Sequence, residues 1–170
     1  MNDNIYITGF MGVGKSTVGR ALSKLFKRRL IDMDEAISRK AGLSVNCYFD
    51  QLGEESFRRA EAALLKEIAS NERLIVATGG GVPVNPENRS VMRESGKVIH
   101  LDMPIEDCFR RLGSGSDLSR PKCTDRDSVT ALYNQRAPLY AESDYKIDIS
   151  VKTPDDCVWE IYERFHPREA

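Results

Sequence analysis

Short apolar runs along the chain alternate with stretches in which apolar residues recur every three or four positions. The runs are NIYIT (4–8), RRLID (28–32), RLIVAT (73–78), KVIHLD (97–102) and YKIDIS (145–150). Each has the length and β-branched content of a buried strand. Between the first two, Val18, Ala21, Leu22, Leu25 and Phe26 fall on one face of a helix. Ile105, Cys108, Phe109 and Leu112 repeat that spacing, as do Val158, Ile161, Tyr162 and Phe165. Cys108 therefore reads as a core residue. Strand–helix alternation predicts an α/β fold, with a parallel sheet covered by helices on both faces. In such sheets ligands bind beyond the carboxyl ends of the strands.

Composition narrows the function. The 170 residues suit one domain with a substantial core. Lys and Arg total 25 against 26 Asp and Glu, so the balance offers no general attraction for nucleic acid or an anionic membrane. An acidic substrate would need a local basic cluster. The four cysteines, Cys47, Cys108, Cys123 and Cys157, form no CxxC pair, which argues against zinc and against a disulfide framework. No run approaches the ~20 apolar residues of a membrane span, and the N-terminus has no basic leader. The reducing cytosol is the expected compartment.

The stretch GFMGVGKST, residues 9–17, carries the strongest chemical signal. It fits the phosphate-loop pattern and sits between a predicted strand and a predicted helix, the context that supports it. Gly12, Val13 and Gly14 would curl the backbone so that its N–H groups, with those of Lys15, Ser16 and Thr17, face phosphate oxygens. Lys15 supplies charge to the β- and γ-phosphates, and the Ser16 hydroxyl can ligate Mg²⁺. This loop is expected to bind a nucleoside triphosphate.

Several charges fall where apolar residues belong. Phe57, Leu64, Leu65 and Ile68 define a helix stripe, and Glu61 lies on it with Arg58 three residues before. The two can pair, as a structural ion pair or as part of a site. Val129, Leu132, Tyr133 and Leu139 set a second stripe that includes Arg136, with no acidic residue three or four positions away. An inward arginine of this kind suggests that a ligand carboxylate or phosphate is its anion. Pro138 is expected to end or bend that helix. Asp32 and Asp34 follow the second strand and, in an extended chain, would share a side. One could hold a water on Mg²⁺ and the other could meet substrate hydroxyls. Asp34 could equally cap the next helix. Gly79, Gly80 and Gly81 permit close backbone approach to a ligand, although a mobile turn would read the same. Gly113 to Pro121 resembles a hinge leading into a lid, with Arg120 held extended by the following proline.

GFMGVGKSTVGR, IDMDEAI, GEESFRRAE, ATGGG, RP and QRAPLY occur in the order and approximate spacing of the shikimate kinase family, which this chain resembles over nearly its whole length. That resemblance implies a nucleoside monophosphate kinase-like fold with a five-stranded parallel sheet in the order 2-3-1-4-5. The activity it implies is transfer of the γ-phosphate of ATP to shikimate, with Mg²⁺ held by Ser16 and Asp32. Lys15, Asp34 and Arg120 would be catalytic. Arg58 and Arg136 would grip the substrate carboxylate, Glu61 would support them, Asp34 would meet ring hydroxyls, and Gly79 to Gly81 would line the pocket. Arg110 or Arg111 would sandwich adenine against Pro154. The implied layout is a single domain acting as a cytoplasmic monomer, with the phosphate loop at 9–17, a substrate-binding part at about 33–61 and a lid at about 113–124. Cys47 stands where the family usually has glutamate, between predicted helices. Lys122 and Cys123 replace apolar lid residues. A gluconate-type kinase and a catalytically silent kinase-like module are the competing readings.

Overall fold

The computed structural model describes residues 3–113 and 125–165. Arg120, Lys122, Cys123 and most of the expected lid lie outside the described residues. The chain runs β1 (Asn4–Thr8), α1 (Lys15–Phe26), β2 (Leu30–Asp32), α2 (Met33–Ala41), α3 (Val45–Ala69), β3 (Ile75–Ala77), a 3₁₀ turn (Val82–Val84), α4 (Pro86–Ser95), β4 (Gly96–Asp102), α5 (Ile105–Gly113), α6 (Arg126–Tyr140), β5 (Tyr145–Asp148) and α7 (Pro154–Phe165). Every apolar run expected to be a strand contains one. The strands form one five-stranded sheet in the order β2-β3-β1-β4-β5, with each neighbouring pair parallel.

Alternation along the strands divides the core between the two faces of the sheet. Ile5, Ile7, Ile75 and Ile99 pack with Val18 and Leu22 of α1 and with Cys108, Val129, Val158 and Ile161 of α5, α6 and α7. Tyr6, Val76 and Val98 point the other way, against Leu65 and Ile68 of α3 and Met92 of α4. Each such fully buried aliphatic contributes about 1.5–3 kcal/mol, so both helix layers are firmly held. Asn4 is polar yet wholly buried; it accepts from Leu74 N at 2.9 Å and donates to Asn71 O at 2.9 Å. Among the described residues, no helix is long and apolar enough to cross a membrane.

Two expectations change here. Pro138 does not end its helix, because α6 continues to Tyr140. Pro138 and Asn134 are both exposed, so water can meet the Asn134 carbonyl that the missing proline N–H leaves without its helical partner. Cys47 lies in the first turn of α3 rather than between helices, and its side chain is exposed.

Candidate active site

The carboxyl ends of β1, β2 and β3 bring together the phosphate loop, the two aspartates and the triple glycine. Gly12 and Gly14 have φ of 79° and 94°, a left-handed backbone that favours glycine. Gly14 caps α1 without any side-chain hydrogen bond, so the first N–H groups of the helix are presented to the loop's concavity. Lys15 opens that helix and folds over the loop, donating to Gly9 O at 2.9 Å and Phe10 O at 2.8 Å. Arg111 braces the same loop from α5, donating to Val13 O at 3.3 Å. Arg110 instead pairs with Asp107 at 2.8 Å and is largely exposed, as is Pro154 at the start of α7.

Asp32 and Asp34 do not share an extended segment. The chain turns helical at Met33, and Asp32 is the residue that caps α2, accepting from Glu35 N at 3.3 Å. Its other oxygen accepts from Ser16 Oγ at 2.5 Å, joining the end of β2 to the phosphate loop. Asp34 lies in the first turn of α2 and does not serve as the cap.

Asp34, Arg58, Glu61, Gly80, Gly81 and Arg136 line one cleft, walled by Met11, Val45, Phe49, Phe57 and Leu132. Gly79 and Gly81 sit directly against charged side chains of the cleft. A Cβ at Gly79 would lie 2.5 Å from Glu61 Oε1 and 2.7 Å from Asp34 Oδ1, and one at Gly81 would land on the Arg58 guanidinium. A Cβ at Gly80 would come 3.7 Å from Gly9 O and 3.8 Å from Met11 N, so the cleft abuts the phosphate loop.

The two arginines are held differently. Arg58 donates to Glu61 at 2.5 Å and to Glu54 at 3.2 Å, and it lies 5.8 Å from the ring centres of both Phe49 and Phe57. Burial opposes its charge, but Glu61 and Glu54 prevail and hold its pKa above the ordinary value. Burial dominates at Glu61 and pushes its carboxyl up to about 7 against the pull of Arg58. Arg136 is 6% exposed, and burial draws its pKa down. It donates to Gly80 O at 3.3 Å, an acceptor shared with the Tyr140 hydroxyl at 2.6 Å. The pairing of Arg58 with Glu61 and the inward aim of Arg136 were legible as charges on apolar stripes. Met11, Val45, Phe49 and Tyr140 were not singled out; for Tyr140 the available signal was its position one turn after Arg136.

A profile of the shikimate kinase family matches residues 11–166. Shikimate kinase from Geobacter metallireducens is 38% identical over 161 residues, covering 93% of this chain and 89% of its own. The structure of shikimate kinase from Acinetobacter baumannii in complex with shikimate superposes with a TM-score of 0.90 at 34% identity, covering 96% of this chain and 92% of that one. A gluconokinase from Sinorhizobium meliloti gives a TM-score of 0.57 at 16% identity, covering 93% and 88%, a likeness of fold alone. The match to an ATP-dependent phosphotransferase family extends over nearly the whole chain, and the chain belongs to the shikimate kinase family.

Proposed function

We propose that the protein transfers the γ-phosphoryl group of ATP to the 3-hydroxyl of shikimate, giving shikimate 3-phosphate and ADP. The observation that carries this reading is a desolvated arginine, Arg136, sharing with Arg58 a cleft that abuts the phosphate loop. Two guanidinium groups on one side of a partly apolar pocket suit a small carboxylate. Asp34 on the same cleft suits a polyol hydroxyl. Membership of the family, and the shikimate bound to the Acinetobacter baumannii relative, point to the same acid.

In this reading the substrate carboxylate sits between Arg58 and Arg136, and Glu61 holds Arg58 in place. Asp34 orients the attacking hydroxyl and takes its proton as the O–P bond forms and the bond to ADP breaks. Lys15 leaves the loop carbonyls for the β- and γ-phosphates, where its charge counts only if water is excluded. Ser16 Oγ and Asp32, 2.5 Å apart, are hard oxygen donors of the kind Mg²⁺ takes when phosphates and waters complete its shell. Such an ion would neutralise charge on the phosphates. Adenine packs between Pro154 and either Arg110 or Arg111, the latter also bracing the loop. Arg120 is assigned to the lid by resemblance alone. The reading has the enzyme working as a cytoplasmic monomer.

A coupled ADP-release assay against a panel of polyol acids tests it. Shikimate should support turnover and gluconate should not. Asp34→Asn should lower kcat by about 10²–10⁴-fold while the KM for ATP stays near normal. A preference for gluconate, or turnover indifferent to Asp34, would overturn the assignment.

A further inference from the structure

The Tyr140 hydroxyl has one short hydrogen bond, and its acceptor is a cleft carbonyl. It donates to Gly80 O at 2.6 Å, and Arg136, one turn earlier on α6, donates to the same oxygen at 3.3 Å. All three groups are buried. The Tyr140 ring is fixed from its other side, where His100 of β4 stacks on it with centroids 5.0 Å apart and planes at 15°. His100 is anchored in turn through Nε2 to Asp102 Oδ1 at 3.3 Å, and Asp102 pairs with Lys146 of β5 at 2.8 Å. A continuous packed route therefore runs from the sheet to the guanidinium.

We infer that Tyr140 is the positioning residue of the acid-binding arginine, its hydroxyl fixing the Gly80 carbonyl so that Arg136 presents its donors to the substrate carboxylate. This inference rests on the proposed function. A guanidinium grips a carboxylate through two parallel N–H groups, so its plane must be set before the ligand arrives. The carbonyl oxygen has two lone pairs; Tyr140 takes one, and Arg136, which also interacts directly with the Tyr140 hydroxyl, makes a longer bond to the other. Without the hydroxyl, the Gly80 carbonyl is freed to draw the arginine onto itself. Buried tyrosines generally find a partner for their hydroxyl. The distinguishing feature here is that the partner lies in the cleft and is shared with the arginine. Burial also pushes the phenol up to about 12, so it remains a donor throughout the working pH range.

The test is Tyr140→Phe, which keeps the ring and its stacking. The KM for shikimate should rise about tenfold, the scale of one buried hydrogen bond, while kcat and the KM for ATP stay within about twofold. In an Arg136→Lys background the same change should add less than about twofold, because the fork it positions is already gone. With a substrate analogue carrying a carboxamide in place of the carboxylate, wild type and Tyr140→Phe should be nearly equal. Direct titration with shikimate checks the binding defect independently of turnover, and unchanged ATP affinity reports an intact fold. An unchanged KM for shikimate, or a full tenfold effect on top of Arg136→Lys, would overturn the inference. If wild type itself failed to phosphorylate shikimate, the proposed function would fall, a result distinct from a silent Tyr140→Phe in an active enzyme.

Discussion

At Glu61, 1% exposed, two effects of opposite sign meet, and burial wins over the ion pair with Arg58. The folded pKa of about 7 lies above the ordinary carboxylate value of 4.5. Between those values the folded state holds a proton that the unfolded chain has released. Stability from this group is therefore complete below about pH 4.5, falls as pH rises through the window, and is level above about 7. Glu61→Gln removes that dependence. The melting temperature of the variant relative to wild type should climb as pH rises from 4.5 to 7, measured by calorimetry in matched buffers. A difference that stayed flat would mean Glu61 titrates normally. The residue itself was legible because a charge on an apolar stripe with an arginine three positions before it needs an explanation. The role of Asp34 was only half legible. The pattern Asp-Met-Asp allows either aspartate to cap the helix, and the choice of Asp32 depends on Ser16, sixteen residues away. The close packing at Gly79 and Gly81 was still less visible, since the side chains that crowd them come from α2 and α3.

At the scale of elements, α3 works as two helical pieces. Gly53 breaks it with φ 77° and ψ 162°. The first piece carries Val45 and Phe49 to the cleft wall, and the second carries Arg58 and Glu61. A Cβ at Gly53 would meet nothing within 4 Å, so alanine there costs only the backbone, which at φ 77° and ψ 162° lies in a region essentially confined to glycine. That cost is about 1–3 kcal/mol, which in a chain of this size lowers the melting temperature by roughly 2–12 °C. Gly53→Ala should show that drop together with a raised KM for shikimate and an unchanged KM for ATP, because the break sets Phe49 against Arg58. A melting temperature equal to or above wild type would mean the helix straightens at no cost. This kink was not read from the sequence, since a lone glycine in a helical pattern is usually tolerated in place. The strands were read well, because runs such as IYI and LIVA are too short for helices and too apolar for surface.

The whole molecule sets the glycine-rich loop and the arginine-lined cleft side by side while building them from different parts of the chain. Strand–helix alternation revealed the parallel sheet; the order 2-3-1-4-5 came from the motifs' resemblance, since periodicity does not say which strands pair. The adjacency of the two sites follows from β3 lying next to β1, with Ala77 beyond Val76 in register with Ile7. If each ligand is held by its own arginine or lysine, the two should stabilise the fold separately. A ligand that binds only the folded state at about 100 times its Kd adds about 2.7 kcal/mol. For a domain of 150–250 residues that is a rise of roughly 5–10 °C in melting temperature. Wild type should show such a shift with shikimate and another with an ATP analogue and Mg²⁺. Lys15→Ala should lose the nucleotide shift and keep most of the acid shift, whereas Arg136→Lys should do the reverse. Differential scanning fluorimetry across both titrations reads all four cases without needing turnover. If either substitution removed both shifts while the unliganded melting temperature held, the two sites would have to be treated as one cooperative unit, and the independent roles given to Lys15 and Arg136 would be wrong.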